Sequence, residues 1–264
     1  MAPPFTPRRA LAGAIALVAA LSAGRSAAQV NVETLRSDID RRTGYVALQA
    51  SYAGHSGNVS GSVGSGAAFA GINVGRHLAF VKVQGDYAQF NGKATLSKAF
   101  AHARYDLRVL PFLQAEVFIQ FEENKFQRLA LRQLDGLGAR FTVVQREIVE
   151  LYFGTAWMLD YAKLNDAGVF APFTGASWFA QRWSNYLSVG VRVGARARFS
   201  DTLYVQPRFN GFHDVRLLND ASFAIDIDKR FSAKISSQVH HNSTPPVGVK
   251  PTDVDTLTSL VLTF

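Results

Sequence analysis

Apolar and polar residues alternate along most of this chain. Leu113, Ala115, Val117, Ile119 and Phe121 share one face, with Gln114, Glu116 and Gln120 on the other. Val149, Leu151, Phe153, Trp157 and Leu159 oppose Glu150, Tyr152, Gly154 and Ala156. From Leu187 to Phe199 every second residue is Leu, Val, Ala or Phe, and Ser188, Gly190, Arg192, Gly194, Arg196 and Arg198 fall between them. A period of two is the mark of β-strands with one apolar face. It predicts strands near 43–54, 58–75, 77–90, 94–108, 111–125, 132–145, 147–161, 181–199, 201–213, 219–229, 231–242 and 253–264. That is about twelve, an even number, as single-chain bacterial barrels require.

Soluble sandwiches alternate too. Strand length separates the two cases, since these segments reach the roughly 9–11 residues that a tilted membrane strand needs. Their apolar faces are rich in Ala, Val, Leu and aromatics and nearly free of charge at the centre. The expected fold is all-β: an antiparallel up-and-down transmembrane β-barrel with short periplasmic turns and longer extracellular loops. The long connections are expected at 125–131, 162–180, 214–219 and 242–252. The Gly- and Ser-rich stretch 57–71 specifies its register poorly.

The N-terminus adds a destination. Arg8 and Arg9 precede the uncharged run Leu11–Leu21, and Ser26-Ala27-Ala28 supplies small residues for cleavage. The run is too short to span a bilayer, so residues 1–28 read as a cleavable signal peptide. Residues 29–42, with Val32, Leu35 and Ile39 at helical spacing among charges, read as a periplasmic N-terminal arm, and 43–264 as the outer-membrane barrel of a Gram-negative bacterium. The last strand places Val254, Thr256, Thr258, Leu260, Leu262 and Phe264 on one face. Phe264 is the expected membrane-insertion terminus, resembling the signal that the barrel-assembly machinery recognises.

Composition narrows the chemistry. The 264 residues contain no cysteine, which excludes disulfides and thiolate metal sites. Formal net charge is +8, and Arg8, Arg9 and Arg25 leave with the signal peptide. The remaining excess, with no basic run, does not indicate nucleic-acid binding. No metal or other cofactor is implied, and a monomer is expected.

Three blocks carry a family resemblance. Val117–Arg132, then Gln206-Pro207-Arg208-Phe209 with Arg216–Asp220, then Pro245–Asp253 with the terminal strand, resemble the salt-induced outer-membrane protein family, a β-barrel family catalogued as a domain of unknown function. The resemblance implies location and fold. It brings no activity with it.

By parity the lumen should hold Lys82, Asp86, Arg104, Asp106, Glu116, Arg140, Glu150, Arg192, Arg196, Arg198, Arg208, Asp226 and Asp228. Also expected inside are Gln84, His102, Arg108, Glu122, Lys234 and His240. Both signs are present, which favours mutually paired charges in a narrow or occluded lumen. The alternative is an arginine track, as in an anion-selective small porin. A membrane-embedded lipid hydrolase would need His240-His241-Asn242-Ser243, but neighbouring histidines on a strand face opposite ways. No catalytic motif is present, and a non-enzymatic barrel is expected. Lys125, Arg128 and Arg132 could meet lipopolysaccharide phosphates. Trp157, Tyr161, Trp178, Trp183 and Tyr186 read as an aromatic girdle in the lipid bilayer.

Overall fold

The computed structural model describes residues 33, 36, 39, 40, 43–55, 61–125, 128–164, 177–245 and 249–264. The expected signal peptide at 1–28 lies outside them. Among the described residues there are twelve strands: β1 (Gly44–His55), β2 (Gly61–Val74), β3 (His77–Phe90), β4 (Lys93–Leu110), β5 (Leu113–Asn124), β6 (Leu129–Gln145), β7 (Val149–Leu164), β8 (Ser177–Val193), β9 (Ala197–Arg208), β10 (Gly211–Asp226), β11 (Phe231–Asn242) and β12 (Thr252–Thr263). Each pairs antiparallel with its neighbours in sequence, and β1 pairs with β12 to close the barrel. The Phe264 amide donates to the Val46 carbonyl at 2.9 Å across that seam. Closure leaves no unpaired sheet edge. Despite its glycines, β2 holds continuous register with β1 and β3.

Two expected connections move. The run 187–199 is not one strand. It breaks at Gly194, whose φ of +68° suits a glycine turn, so Arg192 and Arg198 face each other across β8 and β9. Residues 214–219 are not a loop but part of β10, with an irregular register between Gly211 and Val215. The β9–β10 connection is only 209–210, and the β3–β4 connection is the tight Asn91-Gly92 turn, with φ of +49° and +74°. The expected asymmetry is therefore partial. One end, hereafter the turn end, carries the short connections from 75–76 to 227–230 and the Gly44 end of β1. The opposite, loop end carries the connections at 56–60, 125–128, 165–176 and 243–251 and two tight turns.

Outward positions stay apolar: Val46, Leu48, Ile72, Val81, Val83, Val117, Leu137, Phe153, Leu187, Leu203 and Leu260 are all exposed. Inward positions carry the buried charges. This inverts the distribution of a soluble β-sandwich.

Candidate functional site: a filled lumen

The lumen is filled in three layers. At the turn end, Glu33, Arg36 and Ile39 have helical backbone, and the Asp40 amide donates to the Arg36 carbonyl at 3.1 Å. These residues come from the segment 29–42 and lie inside the barrel mouth, with Glu33, Arg36 and Ile39 almost fully buried. Ile39 packs with Tyr45, Leu78, Phe69 and Phe80. Asn73 Nδ2 donates to the Ile39 and Asp40 carbonyls, each at 3.3 Å, so the wall holds the last turn of this plug.

The plug is also fastened by charge. Arg36 Nε donates to Asp106 Oδ2 at 2.6 Å and Nη1 to Asp40 Oδ2 at 3.0 Å, while Nη2 reaches Gln114. Glu33 binds Arg104 through one carboxylate oxygen and lies 3.1 Å from Arg140 Nη2 through the other. The Arg140 guanidinium stacks 3.6 Å above the Tyr152 ring. Buried charges persist only when paired in this way.

Above the plug lies an aromatic layer. Arg104 sits among the Phe80, Phe118 and Tyr186 rings, 5.3–6.0 Å from their centroids. His102 stacks between Phe80 and Phe118. Tyr186 donates its hydroxyl to Glu116 at 3.1 Å. Inward glycines make room for these rings. A Cβ on Gly136 would meet the Phe118 ring at 2.1 Å, and one on Gly154 would meet Tyr186 at 2.0 Å. About 20 Å³ stays empty among His102, Glu116, Leu134, Met158, Tyr204 and Gln206, space for about one water.

At the loop end a second ionic layer converges on Asp160. It accepts from Arg132 Nε at 3.0 Å, from Arg182 Nε at 2.9 Å, and from Arg216. Arg182 also donates to Asp214 Oδ1 at 2.9 Å, and Arg208 lies 3.8 Å from the same carboxylate.

Of the residues expected in the lumen, Lys82, Arg104, Asp106, Glu116, Arg140 and Glu150 are buried inside, and Asp86 is half-buried, accepting from Ser65. Arg208 is half-buried at the loop end. The moved turn puts Arg192 and Arg196 on the exposed rim of the turn end, with Arg198 and Asp226 half-buried beside them. Asp228 is fully exposed in the β10–β11 turn. The Arg230 and Phe231 amides donate to it at 2.7 and 2.8 Å and hold its carboxyl below the usual aspartate range.

Sequence reasoning overlooked Asp160, Arg182, Arg216 and the plug. Asp160 shares parity with Glu150 and Arg182 with Arg192, so parity alone could have found both. Arg132 faces inward, not outward toward lipid phosphates. Trp178 and Tyr186 also face inward, whereas Trp157, Tyr161 and Trp183 face out. Ser243 is engaged by backbone: it donates to the His213 carbonyl and accepts from the Val215 amide, both at 2.8 Å. His240 is buried inside the barrel.

A family model described as "Protein of unknown function, DUF481" matches residues 48–264. No curated protein matches the chain. Among solved structures, the NanC porin superposes with a TM-score of 0.49 at 8% identity, over 83% of this chain and 98% of that one. The KdgM porin gives 0.46 at 8%, over 84% and 99%. The translocator domain of the autotransporter NalP from Neisseria meningitidis gives 0.49 at 13%, over 97% of each chain. None of these likenesses carries a function over to this chain.

Proposed function

The chain belongs to the family described as "Protein of unknown function, DUF481", and from that premise we propose an outer-membrane β-barrel whose polar lumen is kept shut by its own N-terminal segment. Large apolar side chains cover its outer surface, a distribution that is a liability in water and suits a bilayer. The single observation that carries closure is the buried pairing of Glu33 and Arg36 with Arg104, Arg140 and Asp106 on the wall. On this reading residues 1–28 are removed on export and the turn end faces the periplasm. The loop end then faces outward, where Lys125 and Arg128 stand level with lipopolysaccharide. Small solutes pass slowly, when the plug leaves and the wall side chains above it, Arg104 and the Asp160 cluster among them, move aside.

Planar-bilayer recording tests this. The chain from residue 29 should give small or no conductance steps, and a chain beginning at residue 43 should give larger ones. Large, stable steps from the plugged form would overturn closure. The salt-induced role implied by the resemblance predicts that the protein accumulates at raised salt, which quantitative immunoblotting reads directly.

A further inference from the structure

The plug does not fill the whole turn end. Beside it, under β9–β12 and β1, is a cavity of about 740 Å³. That lies within the roughly 300–1,000 Å³ range of small-molecule sites. It runs inward from the β8–β9 and β10–β11 turns to Gln49 and Lys234. No described plug residue lines it.

Its charge is one-sided. Five cationic side chains line it: Arg196, Arg198, Lys229, Arg230 and Lys234. The two carboxylates present, Asp226 and Asp228, already accept hydrogen bonds, from Ser232 Oγ at 2.7 Å and from the turn amides. Arg196, Lys229 and Arg230 form no ion pair among the described residues. Ser200, Ser222 and Ser232 give the wall short hydroxyl side chains. Space is left where bulkier residues fill the opposite half of the lumen.

We propose that this vestibule binds a small, hydrophilic organic oxyanion carrying two or more charges, presented from the periplasmic side. Guanidinium and ammonium groups supply charge-assisted hydrogen bonds to its oxygens, and the serine hydroxyls and the Gln49 amide meet its neutral polar groups. The test alters no plug residue and reads binding rather than conductance, so this inference and closure fail independently.

Calorimetry on the mature chain in uncharged detergent tests it, with citrate as probe, inorganic phosphate as the smaller anion and sucrose as a neutral solute. Citrate should bind more tightly than phosphate, sucrose should give no heat, and raised salt should weaken citrate binding. Arg196→Gln with Arg230→Gln should raise the citrate Kd about tenfold, each exposed charge-assisted contact being worth about threefold. Lys163→Gln, an exposed position near the other end, should leave it unchanged. Both substitutions fall on rim turns, so the heat-dependent gel shift of a folded barrel should persist. Should the double variant fail to fold, each single variant carries the test at about threefold. Absent citrate heat, an unchanged Kd in the variants, or equal binding of sucrose would overturn the proposal. So would displacement of citrate in phosphatidylglycerol nanodiscs but not phosphatidylcholine ones, which would make a lipid headgroup the ligand.

Discussion

Gly71 lies directly against Ile39: a methyl group on Gly71 would stand 2.2 Å from Ile39 Cδ1. The missing side chain on β2 is the seat of the plug. The strand β3 closes off the same point, with the Ala79 carbonyl at 3.2 Å and Phe80 Cβ at 3.0 Å, so a new side chain can gain room only by displacing Ile39.

Gly71→Val therefore expels the plug while suiting the strand, since β-branched residues favour extended backbone. Overpacking of this kind costs about 1–3 kcal/mol, and releasing Ile39 relieves it. Trypsin should spare Arg36 in the parent barrel and cut after it in the variant, as read by mass spectrometry. Equal protection of Arg36 in both would count against this seating.

Arg36 holds the plug from the other side. Arg36→Met strands Asp106 and Asp40 in a buried site, and losing one partner of a buried pair costs about 3–5 kcal/mol. Trypsin cannot report on that variant, so the readout is the temperature at which the folded band disappears on gels. The drop should be clear for Arg36→Met and smaller than the sum of singles for Arg36→Met with Asp106→Asn, because the neutral amide no longer needs the guanidinium. Strict additivity would show that the two groups do not act together.

These contacts mark where the sequence stopped being legible. Alternation gave β3 to the residue, 77–90, and put β1, β4, β5 and β12 within two residues at each end, because one face of each meets apolar surroundings. It ran through the β8–β9 turn because Val191 and Val193 before the turn and Ala197 and Phe199 after it keep the same parity. A three-residue turn that preserves phase leaves no trace in a period-two pattern. The strand count survived because the breaks were displaced, not missing. The plug was hidden for another reason. Glu33, Arg36, Ile39 and Asp40 read alone as part of a periplasmic arm, and only closure of the barrel brings Asp106, Gln114 and Arg140 to them. Inward glycines at 71, 136 and 154 were the available clue, since each leaves space that something must fill.

Asp160 anchors the loop end as Arg36 anchors the turn end. It is the shared acceptor of Arg132, Arg182 and Arg216. Asp160→Asn removes the carboxylate that Arg132, Arg182 and Arg216 share and leaves Asp214 as the counter-charge of Arg182, and the expected loss is again about 3–5 kcal/mol. Asp214→Asn should cost less, because Asp214 holds only Arg182 at close range and its backbone carbonyl still accepts from Arg182. Comparing the folded-band temperatures of the two variants checks the ranking, and the reverse order would refute the shared-acceptor account.

The β10–β11 turn should be sensitive to pH at its exposed carboxylate. Amides of Arg230 and Phe231 donate to Asp228 and depress its pKa below the ordinary 3.8. A carboxyl whose folded pKa is depressed adds stability above its unfolded pKa and loses that contribution as pH falls through the folded value. Asp228→Ala should thus lower the folded-band temperature at neutral pH, and its difference from the parent should shrink as pH falls below about 4 and vanish once both forms lack the charge. Salt should change the difference little, because the contacts are direct hydrogen bonds rather than long-range attraction. A difference that stays constant from neutral to strongly acidic pH would mean that Asp228 supports the turn by shape alone and not as the ionised acceptor.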